Sequence, residues 1–226
     1  MIWKEIKADL ELIISEAACL DDLIRRDDFW DSGEERILSA VAFLQEKGKP
    51  ALGLDIIDAA HQRSLALSPD IRIRFLYLRA DLLHDLGRYQ DAVAVYSAIL
   101  EMENPASGIA HVNRGLAFWE LRDIQAALKD YLDAIKIDPQ NAVALRGAGE
   151  MSNRLDRPAE AIVHLRAAVK LDPLYAPAFA ALGVAYYNDG DFAKSYRALN
   201  RAVELDPDDI IAKKGIAKIE QHFDLE

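Results

Sequence analysis

The chain has 226 residues, 51% of them hydrophobic and 29% charged, with a formal net charge of −11. That composition belongs to a folded chain rather than a disordered one. The acidic balance argues against nucleic acid as a partner, because such affinity comes from Lys and Arg displacing counterions from phosphates. The single cysteine, Cys19, excludes an intramolecular disulfide and a Cys-based metal site. The N-terminus, MIWKEIKADLELIISEAACLDD, mixes charges among its apolar residues, unlike a signal peptide, and no apolar run is long enough to span a bilayer. The expectation is a cytoplasmic protein with no membrane insertion.

Taken in order, the chain begins with apolar residues at Ile2, Ile6, Leu10, Ile13, Ile14, Ala17, Leu20, Leu23 and Ile24, a spacing that predicts one helix over 2–26. Acids follow, and either Asp31 or Ser32 is expected to cap the next helix. Helices are then predicted in pairs: 34–47 with 50–66, 71–86 with 89–102, 108–121 with 124–136, 142–154 with 158–170, and 176–189 with 192–204. A last helix is expected at 210–223. Pro50 and Pro158 fall just inside second helices, where a missing N–H costs nothing. No stretch alternates polar and apolar residues long enough for a strand.

A period runs through this pattern. Pro139, Pro173 and Pro207 are 34 residues apart, and so are Gly115, Gly149 and Gly183. Ala127, Ala161 and Ser195 keep the same spacing, as do Ala134, Ala168 and Ala202. On these columns the sequence resembles the tetratricopeptide repeat family, built from helix–turn–helix units of this period. Phe179, Leu182, Gly183, Tyr186, Ser195, Leu199, Ala202 and Pro207 carry the most regular copy. The copy before it has Ser152 where an aromatic residue is usual, and the copy before that has His111 and Arg114 at two normally apolar columns. Arg114 is expected to lay its aliphatic stem over the neighbouring repeat. Weaker copies span 73–107 and 34–72. In the latter, Pro69 arrives four residues late, which predicts a longer second helix there.

The resemblance implies an all-α, right-handed superhelical solenoid of about five repeats plus capping helices. The expected organisation is an N-terminal helix over 1–32 (a divergent first pair or a cap), the repeat array over 33–209, and a capping helix over 210–226. In that last helix Ile210, Ile211, Ile216, Ile219 and Phe223 are expected inward. The turn glycines Gly48, Gly87 and Gly190 share one repeat position.

No residue pattern points to catalysis. The five histidines form no His-x-x-x-His pair. No phosphate-binding glycine loop or Gly-x-Ser-x-Gly elbow is present, and the turn at Asn188–Asp191 lacks the remaining ligands of a calcium loop. No enzyme activity, cofactor or metal is therefore expected.

The resemblance also implies that first helices line a concave surface. Its columns here are Arg74, Tyr77, Asp81 and His84; Ile109, Val112, Leu116 and Trp119, with Asn113 beside them; Val143, Arg146, Glu150 and Asn153; and Pro177, Ala180, Val184 and Tyr187. Residues that only meet water should be polar, so the apolar members mark a binding surface. The candidate partner-binding residues are Tyr77, Ile109, Val112, Asn113, Leu116, Trp119, Arg146, Glu150, Asn153, Val184 and Tyr187, with Trp119 and Tyr187 as aromatic anchors. The family's carboxylate clamp for chaperone tails uses Lys, Asn, Asn, Lys and Arg; only Asn113 and Arg146 suggest it here. Val112, Leu116, Ala180 and Ala181 occupy the partner positions, which favours a more apolar ligand. The expected function is an adaptor or scaffold holding a peptide or helix of a partner protein. The alternatives are a dedicated chaperone for a secreted or membrane-associated protein, and a regulatory subunit or inhibitor docking on an enzyme. The groove could instead be filled by the chain's own N-terminal helix.

Overall fold

The computed structural model describes residues 2–15, 20–31, 33–63, 68–102 and 107–223. Among them lie fourteen α-helices and no strand. They divide into two compact units, 1–102 and 103–226.

The first unit contains α1 (Ile2–Ile14), α2 (Leu20–Ile24), α3 (Asp27–Trp30), α4 (Glu34–Glu46), α5 (Pro50–Gln62), α6 (Pro69–Asp85) and α7 (Tyr89–Met102). The single helix predicted over 2–26 is corrected to a helix and two short segments. Phe29 and Trp30 are fully and almost fully buried. The Trp30 indole N–H donates to the Ile24 carbonyl at 2.8 Å, and Arg26 bonds Asp9 of α1 at 2.6 Å. Neither Asp31 nor Ser32 is seen capping α4: its N-cap is Gly33 at φ 102°, without a side-chain bond, and Ser32 lies outside the described residues. The expected lengthening of the 50–66 helix is also corrected. α5 ends at Gln62, residues 64–67 lie outside those described, and α6 is the long member because Pro69 opens it. α1 packs beside α4, and α4 beside α6, so α1 joins the row of first helices.

The second unit contains α8 (Gly108–Glu120), α9 (Ile124–Ile137), α10 (Ala142–Arg154), α11 (Pro158–Leu171), α12 (Ala176–Asn188), α13 (Phe192–Leu205) and α14 (Ile210–Phe223). Each first helix pairs with its second, α8 with α9, α10 with α11 and α12 with α13, and each second helix packs on the next first helix. The first helices α8, α10, α12 and α14 also touch in sequence, forming one layer.

Local chemistry sets these boundaries. Asp123, Asn141, Asp191 and Asp209 each accept an N–H of the first turn of the following helix. Asp138, Asp172 and Asp206 precede the three periodic prolines, which push them out of helical geometry to φ near −130°. Each of these aspartates also accepts the N–H two residues on, closing an identical turn three times. The turn inside each pair needs one residue at positive φ. Gly48, Gly87 and Gly190 supply it, and Arg122 and Asp156 adopt it at 64° and 59° without being glycine.

The small columns hold the pairs together. A Cβ on Gly149 would stand 2.4 Å from Leu165, and one on Gly183 would stand 2.5 Å from Leu199. Ala127, Ala134, Ala161, Ala168 and Ala202 have no exposed surface. Ser195 is equally buried, and its hydroxyl donates to the Gly183 carbonyl at 2.7 Å. Ser152, in place of an aromatic residue, is buried with its hydroxyl unpartnered among the described residues. One expectation for α14 is corrected: Ile219 is buried and Ile216 half-buried, but Ile210, Ile211 and Phe223 are exposed, because no second helix lies over α14 among the described residues.

Two glycine substitutions separate contact from conformation. Gly183→Ala should destabilise by about 1–3 kcal/mol through overlap with Leu199, whereas Gly190→Ala should cost about 1 kcal/mol through its positive φ alone. Urea unfolding checks both; a Gly183→Ala protein as stable as the parent would sink the close-approach account.

Candidate functional site

Of the sequence-predicted residues, Tyr77 lies in the first unit and the other ten in the second. Tyr77 lines a groove of about 360 Å³ between α4 and α6, with Leu38, Ser39, Ala42, Arg74, Leu78 and Asp81. No described side chain of α1 is among the residues that line it. Arg74 pairs with Glu35 across its mouth. Burial pushes the Asp81 carboxyl above its ordinary pKa, partly offset by the hydroxyl of Tyr96 donating to it at 2.5 Å.

In the second unit the first-helix layer presents a mixed surface. On α8, Ile109 is 66% exposed and Leu116 39%, while Val112, Asn113 and Trp119 are half-buried. Val112 and Trp119 rest on a core of Ala127, Leu128, Tyr131, Ala148 and Met151. Burial pushes the Tyr131 phenol up to about 12, so it stays neutral at the centre of that core. Trp119 is not a free anchor. The Arg154 guanidinium sits 3.9 Å from the ring centroid and that of Arg122 lies 5.1 Å away.

On α10, Arg146 is half-buried and fully engaged in direction. Its Nε–H donates to the Tyr175 hydroxyl at 2.8 Å and its Nη1 group to Glu150 at 2.6 Å. Burial alone would lower the Arg146 pKa; Glu150 and Tyr175 more than offset it, so the guanidinium stays charged. Asn153 accepts from the side-chain amide of Asn188 at 3.0 Å, joining α10 to α12. On α12, Val184 and Tyr187 are half-buried. Tyr187 packs against the cluster of Ala180, Leu199, Ala202, Ala212 and Ile219, meets Phe192 edge-on at 5.2 Å, and lies under the Lys218 ammonium at 4.5 Å.

The site thus divides into an uncovered apolar part and a set of cation-bracketed aromatics. Val143 belongs to the uncovered part, at 45% exposure, although sequence reasoning placed it on the concave face without selecting it. Its signal was present: Ile109, Val143, Pro177 and Ile211 recur every 34 residues, and all four are exposed.

Arg114 departs from its expected place. Instead of reaching over the neighbouring repeat, its guanidinium donates through Nε and Nη2 to both oxygens of the buried Asp130, at 2.8 and 2.7 Å. His111 Nδ1 lies 3.1 Å from the same carboxylate. The two off-motif residues of α8 therefore meet one buried acid of α9. His111, Asp130 and Asp133 have ligating atoms within 4.8 Å of one another. Arg114 already occupies the Asp130 carboxylate and Lys136 bonds Asp133 at 2.7 Å, so protein cations neutralise the group. Asp133 is held below the usual carboxylate range: burial would raise it, and Lys136 with Lys129 overcomes that.

Family models for the tetratricopeptide repeat match residues 77–142 and 154–219. The chain is 30% identical over 105 residues to a probable UDP-N-acetylglucosamine–peptide N-acetylglucosaminyltransferase, SPINDLY, of Solanum lycopersicum, covering 46% of this chain but 11% of that protein. It is 29% identical over 96 residues to small glutamine-rich tetratricopeptide repeat-containing protein 2 of Mycosarcoma maydis, covering 42% of this chain and 27% of that protein. The chain therefore spans only a small part of these curated relatives. Among solved structures, a tetratricopeptide repeat protein from Parabacteroides merdae superposes with a TM-score of 0.71 at 19% identity, over 85% of this chain and 74% of that one. YrrB, described as having an unusual peptide-binding site, superposes with a TM-score of 0.63 at 19% identity, over 89% of this chain and 98% of that one. The first repeat domain of Spaghetti, bound to an HSP90 peptide, gives 0.50 at 22% identity, over 52% of this chain and 93% of that one. These likenesses show the fold.

The Arg114–Asp130 pair carries a stability prediction. Asp130→Ala should cost about 3–5 kcal/mol, because it strands a guanidinium in the pair interface. The double change Arg114→Leu with Asp130→Leu should recover most of that loss in a urea melt. An Asp130→Ala protein within error of the parent would show that the pair is not a structural element.

Proposed function

The chain belongs to the tetratricopeptide repeat family, and on that premise we propose a non-enzymatic interaction module whose first-helix layer in residues 108–223 holds a peptide or helix of a partner protein. The observation that carries this reading is the uncovered apolar surface of Ile109, Leu116 and Val143 beside the Arg146–Glu150–Tyr175 cluster. Isoleucine, leucine and valine that stay in water contribute nothing to this fold's core, whereas their burial under a partner gives about 25 cal/mol per Å² removed from water. Arg146 and Glu150 fix each other's direction and offer orienting polar contacts at the edge of that surface.

The chemistry supports an apolar ligand rather than an acidic chain end. Val112, Leu116 and Ala180 stand where a carboxylate clamp needs donors, and Arg146 is already committed to Glu150 and Tyr175. Peptide binding by YrrB and by the Spaghetti domain supports the general mode. The proposed contacts are Ile109, Leu116, Val143 and Val184, with Val112, Asn113 and Asn153 at their borders. Trp119 and Tyr187 serve as rigid walls, since each is packed on the core and bracketed by a cation. Tyr77 lines a separate groove in residues 38–81.

The test is affinity purification with the tagged chain, followed by mass spectrometry, comparing the parent with Ile109→Asp/Leu116→Asp. Both residues are exposed, so the double variant should melt within about 1 kcal/mol of the parent while losing the partner at least about tenfold. A partner retained in full by the double variant would refute the groove. Trp119→Ala should instead lower stability by about 2–4 kcal/mol through lost packing.

A further inference from the structure

We propose that α14 is a second docking face, one that takes an acidic amphipathic helix from a protein partner in the place a second helix holds on the other first helices of residues 108–205. Ala217 stands 34 residues after Gly183, at the close-approach column formed by Gly115, Gly149 and Gly183. In those three pairs the small residue lies against Tyr131, Leu165 and Leu199 of the second helix. On α14 the column is kept and nothing lies over it among the described residues, so Ala217 is exposed.

The exposure is continuous. Lys213 and Lys214 lie three and four residues after Ile210, Ala217 lies four and three after them and Gln221 four further on, so the five form a single face, every member of which is exposed. Ile211 and Lys218 flank it. Ile210 is 65% exposed and Ile211 64%, at the residue position where α12 buries Ala176 and at its neighbour. The opposite side of α14 is taken: Ala212 and Ile219 are buried against α12 and α13, and Gly215 rests on Leu199.

Charge selects the occupant. The chain carries −11 overall, yet this face holds the exposed Lys213 and Lys214, with Lys218 exposed on its flank. Lys213 and Lys214 have no ion-pair partner among the described residues, and Lys218 lies over the Tyr187 ring. Two of the three acids just before the helix are spent on backbone: Asp206 accepts from the Asp208 N–H and Asp209 from the Ala212 N–H. Glu220, seven residues after Lys213 and on the flank of this face, accepts from the Tyr196 hydroxyl. A second copy of α14 laid on this face would set lysines against lysines. A helix with an apolar stripe over Ile210 and Ala217 and Glu or Asp along its flanks satisfies both the apolar surface and the unpaired ammonium groups.

The experiment uses the full chain and two fluorescein-labelled synthetic 18-residue helix-forming peptides with a leucine stripe, one flanked by Glu and one by Lys, read by fluorescence anisotropy. The Glu peptide should bind and the Lys peptide should bind at least about tenfold more weakly. Lys213→Glu/Lys214→Glu should reverse that preference. Ala217→Leu should weaken the Glu peptide about tenfold by holding the helices apart, with an unchanged melt because the residue is exposed. Ile109→Asp/Leu116→Asp should leave this binding intact, which separates it from the groove. Equal binding of the two peptides, no binding of the Glu peptide, undiminished binding to Ala217→Leu, or loss in the Ile109/Leu116 variant would each overturn the proposal.

Discussion

Helices in this protein can stack as pairs only because a residue without a side chain, or nearly so, faces a bulky one across each pair. Gly149 and Gly183 leave room for Leu165 and Leu199 that one added carbon would remove. The same leucines then touch the following first helix, as Leu199 touches Gly215. One small column therefore sets both the intimacy of each pair and the docking of the next, and cores of this density tolerate little change in volume. The buried alanines on the second helices serve the same end, since Ala127, Ala161 and Ala168 present backbone rather than bulk to their neighbours.

That economy leaves the first helices with two kinds of surface. One side is consumed by packing, and the other is free to vary. On α8, α10 and α12 the free side collects exposed aliphatic residues next to aromatics already bracketed by Arg154, Arg122 and Lys218. Such bracketing holds Trp119 and Tyr187 against their neighbours, which would lower the ordering cost of the proposed contact. On α14 the side that should have been consumed is free as well, and it is there that lysines gather.

The deviations from the repeat pattern are coupled to one another. His111, buried, and Arg114, half-buried, would be polar residues without explanation if Asp130 did not lie between them at hydrogen-bond distance. A buried carboxylate requires such partners, and a guanidinium fork supplies two bonds in fixed geometry. Ser152 shows the contrary case, a polar replacement whose hydroxyl finds no partner among the described residues.

Spacing alone determined much of this protein. Glycine, alanine and proline columns repeat because backbone approach and turn geometry depend on residue type more than on distant neighbours, so pair order, the position of turns and the Pro50 and Pro158 helix starts were legible in the sequence. The lining of the first helices was legible too, since the period maps side chains onto one face. Only the tertiary structure decided which of those residues are free. Trp119 and Ile109 sit on the same helix face by spacing, yet one is clamped by two guanidinium groups and the other stands in water. Arg114 met Asp130 across a helix pair, and Phe29 and Trp30, well beyond the end of α1 at Ile14, are buried in the core. These outcomes rest on contacts between side chains far apart in sequence, which periodicity along one helix does not encode.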